Sequence, residues 1–241
     1  MRIKAIIAYD GSAFYGFQRQ STTPLTVTHA IEKVLQSLQI ETTIIGSGRT
    51  DRGVHATGQV IHFDLPDFWT DLSKLQTILN RKLTAISFKH LSIVTEDFHA
   101  RFSAKKRLYR YLFKTDTRSV FERNYLSYYP SSFDPILLEE TLRCFEGEHD
   151  FRYFHKTGSP THTTVRTIYR SRYYTHANLH IITFEANGFL RSQVRMMVES
   201  AMLVARGKLA KEELQQQIAH KVRSTTKLAP PEGLYLAKIL Y

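Results

Sequence analysis

Apolar residues recur along this chain at two spacings, one near two residues and one near three and a half, and the switches between them mark its elements. Ile3 to Tyr9 is a β-branched run that reads as a strand, and Asp10-Gly11-Ser12 ends it with turn chemistry. Val27, Ile31, Val34, Leu35 and Leu38 share one helical face behind Thr26, a hydroxyl residue suited to cap the helix. Thr42 to Ile45 reads as a strand, and Gly58 to Asp64 alternates with period two as another. Leu72, Leu75, Leu79 and Leu83 predict a helix over Asp71 to Leu83, and Ser87 to Val94 a further strand.

From Lys105 the chain changes character, since basic and apolar groups alternate through Lys114 as in a strand. The domain boundary is therefore placed just before it, giving residues 1–103 and 104–241. Asp134-Pro135 opens a helix by the cap-then-proline rule, with Leu138, Leu142 and Phe145 as its stripe and Gly147 as its stop. Arg166 to Tyr174 and Leu179 to Glu185 form a hairpin around Ala177-Asn178. Helices over Leu190 to Ala205 and Lys211 to His220 precede a closing strand, Leu234 to Tyr241. Antiparallel pairing dominates this reading, so the fold class is α+β, with mixed strands and helices in both halves.

Composition narrows the function classes. Thirty-three Lys plus Arg against twenty-two Asp plus Glu give a formal charge of +11, which favours a polyanionic partner, with nucleic acid the leading one. No helix carries the one-sided basic and aromatic pattern of a membrane-surface anchor, and no apolar span approaches the roughly 18 residues needed to cross a bilayer. The single cysteine, Cys144, excludes a disulfide within the chain. With a strand-like N-terminus that does not resemble a signal peptide, this points to a cytoplasmic protein.

Candidate chemistry concentrates in Gly48-Arg49-Thr50-Asp51-Arg52-Gly53-Val54-His55-Ala56, where one carboxylate lies between two arginines on a glycine-hinged loop at strand ends. Flanking guanidinium charge favours the ionised carboxylate, which suits a group that attacks or stabilises rather than one that donates a proton. The glycines superficially resemble a phosphate loop, but no Gly-Lys-Ser/Thr follows and the next element is a strand, so no nucleotide cofactor is expected. Eleven histidines include no metal-binding spacing, and no nucleophile elbow is present. Two acid-free basic stretches, Phe98 to Lys114 and Arg152 to Ile182, interleave Tyr and Phe with Arg107, Arg110, Arg166 and other cations. Aromatics beside phosphate-binding cations suit unstacked RNA bases, although strand alternation alone also buries every second ring. Arg191 and Arg195 are four apart on the predicted helix, where Arg195 either pairs with Glu199 or faces Asp51.

Six ordered segments resemble the tRNA pseudouridine synthase A family over essentially the whole chain. They are Tyr9-Asp10-Gly11 with Gly16-Phe17-Gln18-x-Gln20; the Gly48 to Ala56 loop with Gly58-Gln59-Val60; Arg107-x-Tyr109-x-Tyr111; Gly147-x-His149-Asp150-Phe151; Phe189-Leu190 through Val194-Arg195; and Ala229-Pro230-x-x-Gly233-Leu234-x-Leu236. The resemblance implies the pseudouridine synthase fold, two related subdomains around a largely antiparallel mixed sheet flanked by helices. It implies isomerisation of uridine to pseudouridine on the 3′ side of the tRNA anticodon stem-loop, at positions 38, 39 and 40, by a homodimer without a cofactor or metal. By the same resemblance Asp51 is the catalytic group, Tyr109 packs on the target base, Arg49 and Arg195 lie near the aspartate, and Leu234 walls the base pocket. Arg52, Arg107, Arg110, Arg166 and Arg191 are expected to contact RNA.

The chain departs from its relatives at Arg52, where the family usually has alanine, and at Ser192-Gln193, which replace a histidine pair. Arg52 is expected to add a phosphate contact. Two rivals make different demands: a noncatalytic RNA-binding protein would not need Asp51, and a carboxylate-pair glycosidase would need a second poised acid about 5 to 9.5 Å away.

Overall fold

Ile3, Ala5, Ile7 and Tyr9 are buried while the residues between them are half-exposed, the period-two signature of strand β1 (Arg2–Tyr9). The computed structural model describes residues 1–117, 119–158 and 161–241, so Ser159 and Pro160 of the second acid-free run lie outside the described residues. It divides into two compact units, Met1–Lys105 with Tyr235–Tyr241, and Lys106–Leu234.

In the first unit, helix α1 (Val27–Gln36) starts at Thr26, whose side chain accepts from the His29 amide, and it buries Val27, Ile31 and Leu35. The strand predicted over Thr42 to Ile45 contracts to β2 (Ile45–Gly46), because only these residues pair with β3 (His55–Asp64). The alternation predicted for β3 gives way to burial on both faces, and Gln59 and His62 are among the buried side chains. Both are hydrogen-bonded: Gln59 Oε1 accepts from Ser47 Oγ at 2.8 Å, and His62 Nδ1 accepts from the Ala100 amide at 3.1 Å.

Helix α2 (Leu72–Lys82) is capped by Asp71 and packs on β4 (Ile86–Ile93). The register of β1 against β4 slips between Ile6 and Ile7. At this irregularity the Asn80 amide accepts from Phe88 N–H at 2.6 Å and donates to its carbonyl at 3.0 Å, so a helix side chain bonds both groups of that residue. β1 pairs antiparallel with both β3 and β4.

In the second unit, β5 (Lys106–Lys114) buries Tyr109, Tyr111 and Phe113 on one face, and β6 (Ser127–Tyr128) pairs with it in parallel. Helix α3 (Pro135–Arg143) is capped by Asp134, whose carboxylate accepts from the Ile136 and Leu137 amides. Phe145, expected on its stripe, is buried beyond its end, ahead of β7 (Gly147–Asp150). β8 (Val165–His176) and β9 (Leu179–Ala186) form the predicted hairpin, with Ala177 at φ 50° in the turn. The ladder β5–β9–β8–β7 is antiparallel throughout.

Helix α4 (Gln193–Ala205) is buried along nearly its whole length, and it starts later than predicted because Ser192 sits in the left-handed region at φ 59°. Helix α5 (Lys211–Ile218) and strand β10 (Leu234–Leu240) complete the chain. From Tyr235 onward β10 belongs to the first unit, where Tyr235 and Leu236 pair in parallel with His55 and Ala56. This pair and β5–β6 are parallel whereas the other pairings given above are antiparallel, so the chain is α+β with mostly antiparallel, mixed pairing.

Candidate active site

The Asp51 loop is held from both ends. On the side leading in, Ser47 N–H donates to the Val60 carbonyl at 2.8 Å and Ser47 Oγ to Gln59 Oε1, while Gln59 Nε2 donates to the Gly48 carbonyl at 2.7 Å. On the side leading out, Val54 N–H donates to the Asp51 carbonyl at 3.1 Å, and Gly53 completes the turn at φ 77°. Asp51 is half-buried, Thr50 is buried, and Arg49 and Arg52 are exposed.

Beneath this loop lies the segment after β1. The Tyr9 hydroxyl and Thr50 Oγ1 are hydrogen-bonded at 2.8 Å in a buried setting, and Phe17 N–H donates to the Thr50 carbonyl at 3.1 Å. Gly16, at φ 119°, brings its backbone so close that a Cβ there would stand 3.0 Å from the Thr50 oxygen. Gly11 lies nearer still to Val54, and its amide donates to His55 Nδ1 at 3.0 Å. That bond puts the proton of neutral His55 on Nε2, and the ring stacks on Tyr235 at 4.7 Å. Tyr9, Gly11, Gly16, Phe17 and Gln59 are thus the positioning residues of the loop. Sequence reading placed most of them in motifs without a structural role.

In the second unit, Tyr109 is buried on β5 opposite Phe184 and meets Phe189 edge-on, with ring centroids 5.1 Å apart. Phe189 heads one of the six family-like segments, and its place against Tyr109 is not legible in the sequence. Arg107 has the same strand parity as Tyr109 and donates from Nη1 to the Asn187 carbonyl at 2.7 Å. Arg166 flanks the same turn, its Nε 3.5 Å from where a Cβ on Gly188 would lie. Arg191 reaches the Thr157 carbonyl from Nη1 at 3.4 Å. Tyr109, Arg107, Arg166 and Arg191 therefore gather around the Asn187 to Arg191 turn, whereas Arg110 points to the opposite face of β5 and is exposed.

Arg191 precedes α4, so the predicted four-residue helical spacing to Arg195 does not hold, because left-handed Ser192 intervenes. Arg195 Nε donates to the Ala229 carbonyl at 2.7 Å, and Ala229 N–H donates back to the Arg195 carbonyl at 3.0 Å. Glu199, the helical neighbour of Arg195, accepts from Tyr129 Oη at 2.9 Å. Leu234 is buried at the head of β10. Among the described residues, no three His, Cys, Asp or Glu side chains gather where they could hold a metal, and no helix is long and apolar enough to cross a membrane.

Residues 5–103 and 142–241 match the model of a family described as tRNA pseudouridine synthase. The chain belongs to that family. Similar relatives bear the name tRNA pseudouridine synthase A: one from Helicobacter hepaticus is 41% identical over 99% of this chain and 98% of its own. Another from Campylobacter jejuni is 40% identical over the full length of both chains. A third, from Streptococcus gordonii, is 38% identical over 100% of this chain and 98% of its own. Within this pseudouridine synthase family match fall the Asp51 loop and its bed, Arg166, Arg191, Arg195 and Leu234. Arg107, Tyr109 and Arg110 lie in the interval between the two matched segments, which the full-length relatives span.

Proposed function

We propose that this protein is a tRNA pseudouridine synthase that isomerises uridine in the anticodon stem-loop, on its 3′ side, with Asp51 as the catalytic group. The observation that carries the reading is the Asp51 loop itself. It is clamped by Tyr9, Gly11, Gly16 and Gln59, so that a half-buried carboxylate is presented from a rigid backbone.

The reaction needs no oxidant and consumes no water. The N1–C1′ bond breaks, the uracil turns, C5 bonds to C1′, and the proton lost from C5 is balanced by one gained at N1. An ionised Asp51 serves as nucleophile at C1′ or as base toward a ribose proton. In either role the target must leave its stack, at a cost of a few kcal/mol. Tyr109 offsets part of this by packing on the base, with Phe189 holding its ring edge-on. Arg49, exposed beside Asp51, offers charge to the strand, and Arg107, Arg166 and Arg191 offer it around the Asn187 turn. Arg195 is assigned to the neighbourhood of the reacting base and Leu234 to its apolar wall. Arg110 remains a weaker RNA contact on the other face of β5. A cytoplasmic homodimer belongs to the same reading, and sedimentation at micromolar concentration tests the dimer.

Asp51→Asn tests the whole. Pseudouridine formation in tRNA is expected to disappear while tRNA binding survives. An Asp51→Asn variant that still forms pseudouridine would refute the assignment, and release of uracil in place of pseudouridine would point to a glycosidase.

A further inference from the structure

Arg52 follows the catalytic loop's aspartate, and its guanidinium lies 4.0 Å above the ring centroid of Tyr15. Two backbone bonds fix Tyr15, its N–H donating to the Leu25 carbonyl at 2.7 Å and its carbonyl accepting from Gln20 Nε2 at 2.8 Å. The next residue, Gly16, approaches the Thr50 to Arg52 backbone so closely that its Cβ would stand 3.5 Å from the Arg52 nitrogen. The ring and the guanidinium are therefore brought together by the bed that holds Asp51. Both are nevertheless exposed, Tyr15 at 43%. Among the described residues no carboxylate lies within ion-pair reach of Arg52.

A guanidinium over an exposed aromatic ring is held there by about 0.5–1 kcal/mol, which restrains a rim arginine that would otherwise be a mobile charge. An exposed guanidinium held against an exposed tyrosine ring offers a planar cation and a π-face together, the two kinds of group on which nucleobases stack. We propose that Tyr15 and Arg52 form a stacking platform for an RNA base neighbouring the target uridine. The platform would hold the strand beside the flipped nucleotide. It rests on the reading of tRNA as substrate and goes beyond it by naming what the nonreacting part of that RNA meets.

The test uses full-length protein carrying Asp51→Asn, so that no turnover intervenes, and an anticodon stem-loop RNA with 2-aminopurine next to the target uridine. Binding is expected to quench the fluorophore. Arg52→Ala and Arg52→Lys should both abolish that quenching and weaken affinity by about tenfold, the scale of one lost base stack. Tyr15→Leu should reduce both, and all three variants should keep the parent melting temperature. Lysine conserves charge but not the plane, so an Arg52→Lys variant with parent affinity and quenching would overturn the platform and leave a phosphate contact. Parent-like behaviour of Arg52→Ala would also overturn it. Protein with the native Asp51 that binds and quenches this RNA yet forms no pseudouridine would refute the proposed reaction while supporting the platform.

Discussion

Replacing Gly11 with alanine tests whether the segment after β1 acts as a cast for the Asp51 loop. A Cβ on Gly11 would lie 2.1 Å from the Val54 carbonyl oxygen, 2.4 Å from its carbon and 2.9 Å from the His55 nitrogen. All three are backbone atoms, so no rotamer change relieves the clash. Ordinary contact begins at 3.4 Å, so one of the two backbones must retreat by about 1.3 Å. Val54 closes the turn on the Asp51 carbonyl, which couples that retreat to the carboxylate. Overpacking of this kind costs about 1–3 kcal/mol of stability. A misplacement near 1 Å at a reacting group costs about 10²-fold in rate.

Gly11→Ala should therefore melt lower than the parent and show a single-turnover rate of pseudouridine formation about 100-fold slower at saturating RNA. Its control is Gly48→Ala. Gly48 belongs to the same Asp51 motif, but a Cβ there meets nothing within 4 Å, and its φ lies outside the left-handed region. That variant should keep the parent melting temperature. A Gly11→Ala enzyme with parent rate and stability, or a Gly48→Ala enzyme as destabilised as Gly11→Ala, would refute the reasoning.

Two predictions concern the fold. Tyr111 Oη lies 2.7 Å from Ser127 Oγ and 3.2 Å from the Pro230 carbonyl, in surroundings whose burial raises the phenol's pKa. Tyr111→Phe strands a buried Ser127 hydroxyl and should lower unfolding free energy by about 1–3 kcal/mol, read from urea midpoints. Burial, with repulsion from His99 and Arg2, holds the His62 ring down to about 4, against 6.5 for a solvated histidine. Between those values the unfolded chain binds a proton that the folded chain refuses, so stability present above pH 6.5 is lost as pH falls toward 4. His62→Gln should flatten the urea midpoint against pH across that window, and an unchanged slope would assign the acid sensitivity elsewhere.

What the sequence makes legible is what is local. Thr26, Asp71 and Asp134 each cap the helix predicted behind them, because a cap needs only a side-chain oxygen two or three residues ahead of an amide. The α+β character and the β8–β9 hairpin follow in the same way from short-range pattern. Local pattern fails where tertiary partners decide. β3 loses its alternation because distant groups, Ser47 and the Ala100 amide, bond the polar side chains that should have faced water. α4 starts late because Ser192 adopts a backbone state that no propensity marks. The return of β10 to the first unit is invisible because its pairing with β3 joins residues about 180 positions apart, as in Tyr235 with His55.

The candidate site divides along the same line. Asp51 draws attention because its neighbours in sequence are arginines and glycines, but what aims it lies some forty residues upstream. Tyr9 bonds Thr50, Phe17 bonds Thr50 again, and Gly11 and Gly16 leave room for the backbones of Val54 and Thr50. Two of these four act by lacking a side chain, and absence leaves no chemical signature in a sequence until the opposing backbone is seen. The opening Tyr-Asp-Gly and Gly-Phe-Gln segments thus make physical sense as one half of a two-part mould whose other half is the aspartate loop. Arg52 sits where the two halves meet, with the Gly16 backbone close to its amide and the Tyr15 ring under its guanidinium, so the mould that aims Asp51 also fixes the place of its neighbour.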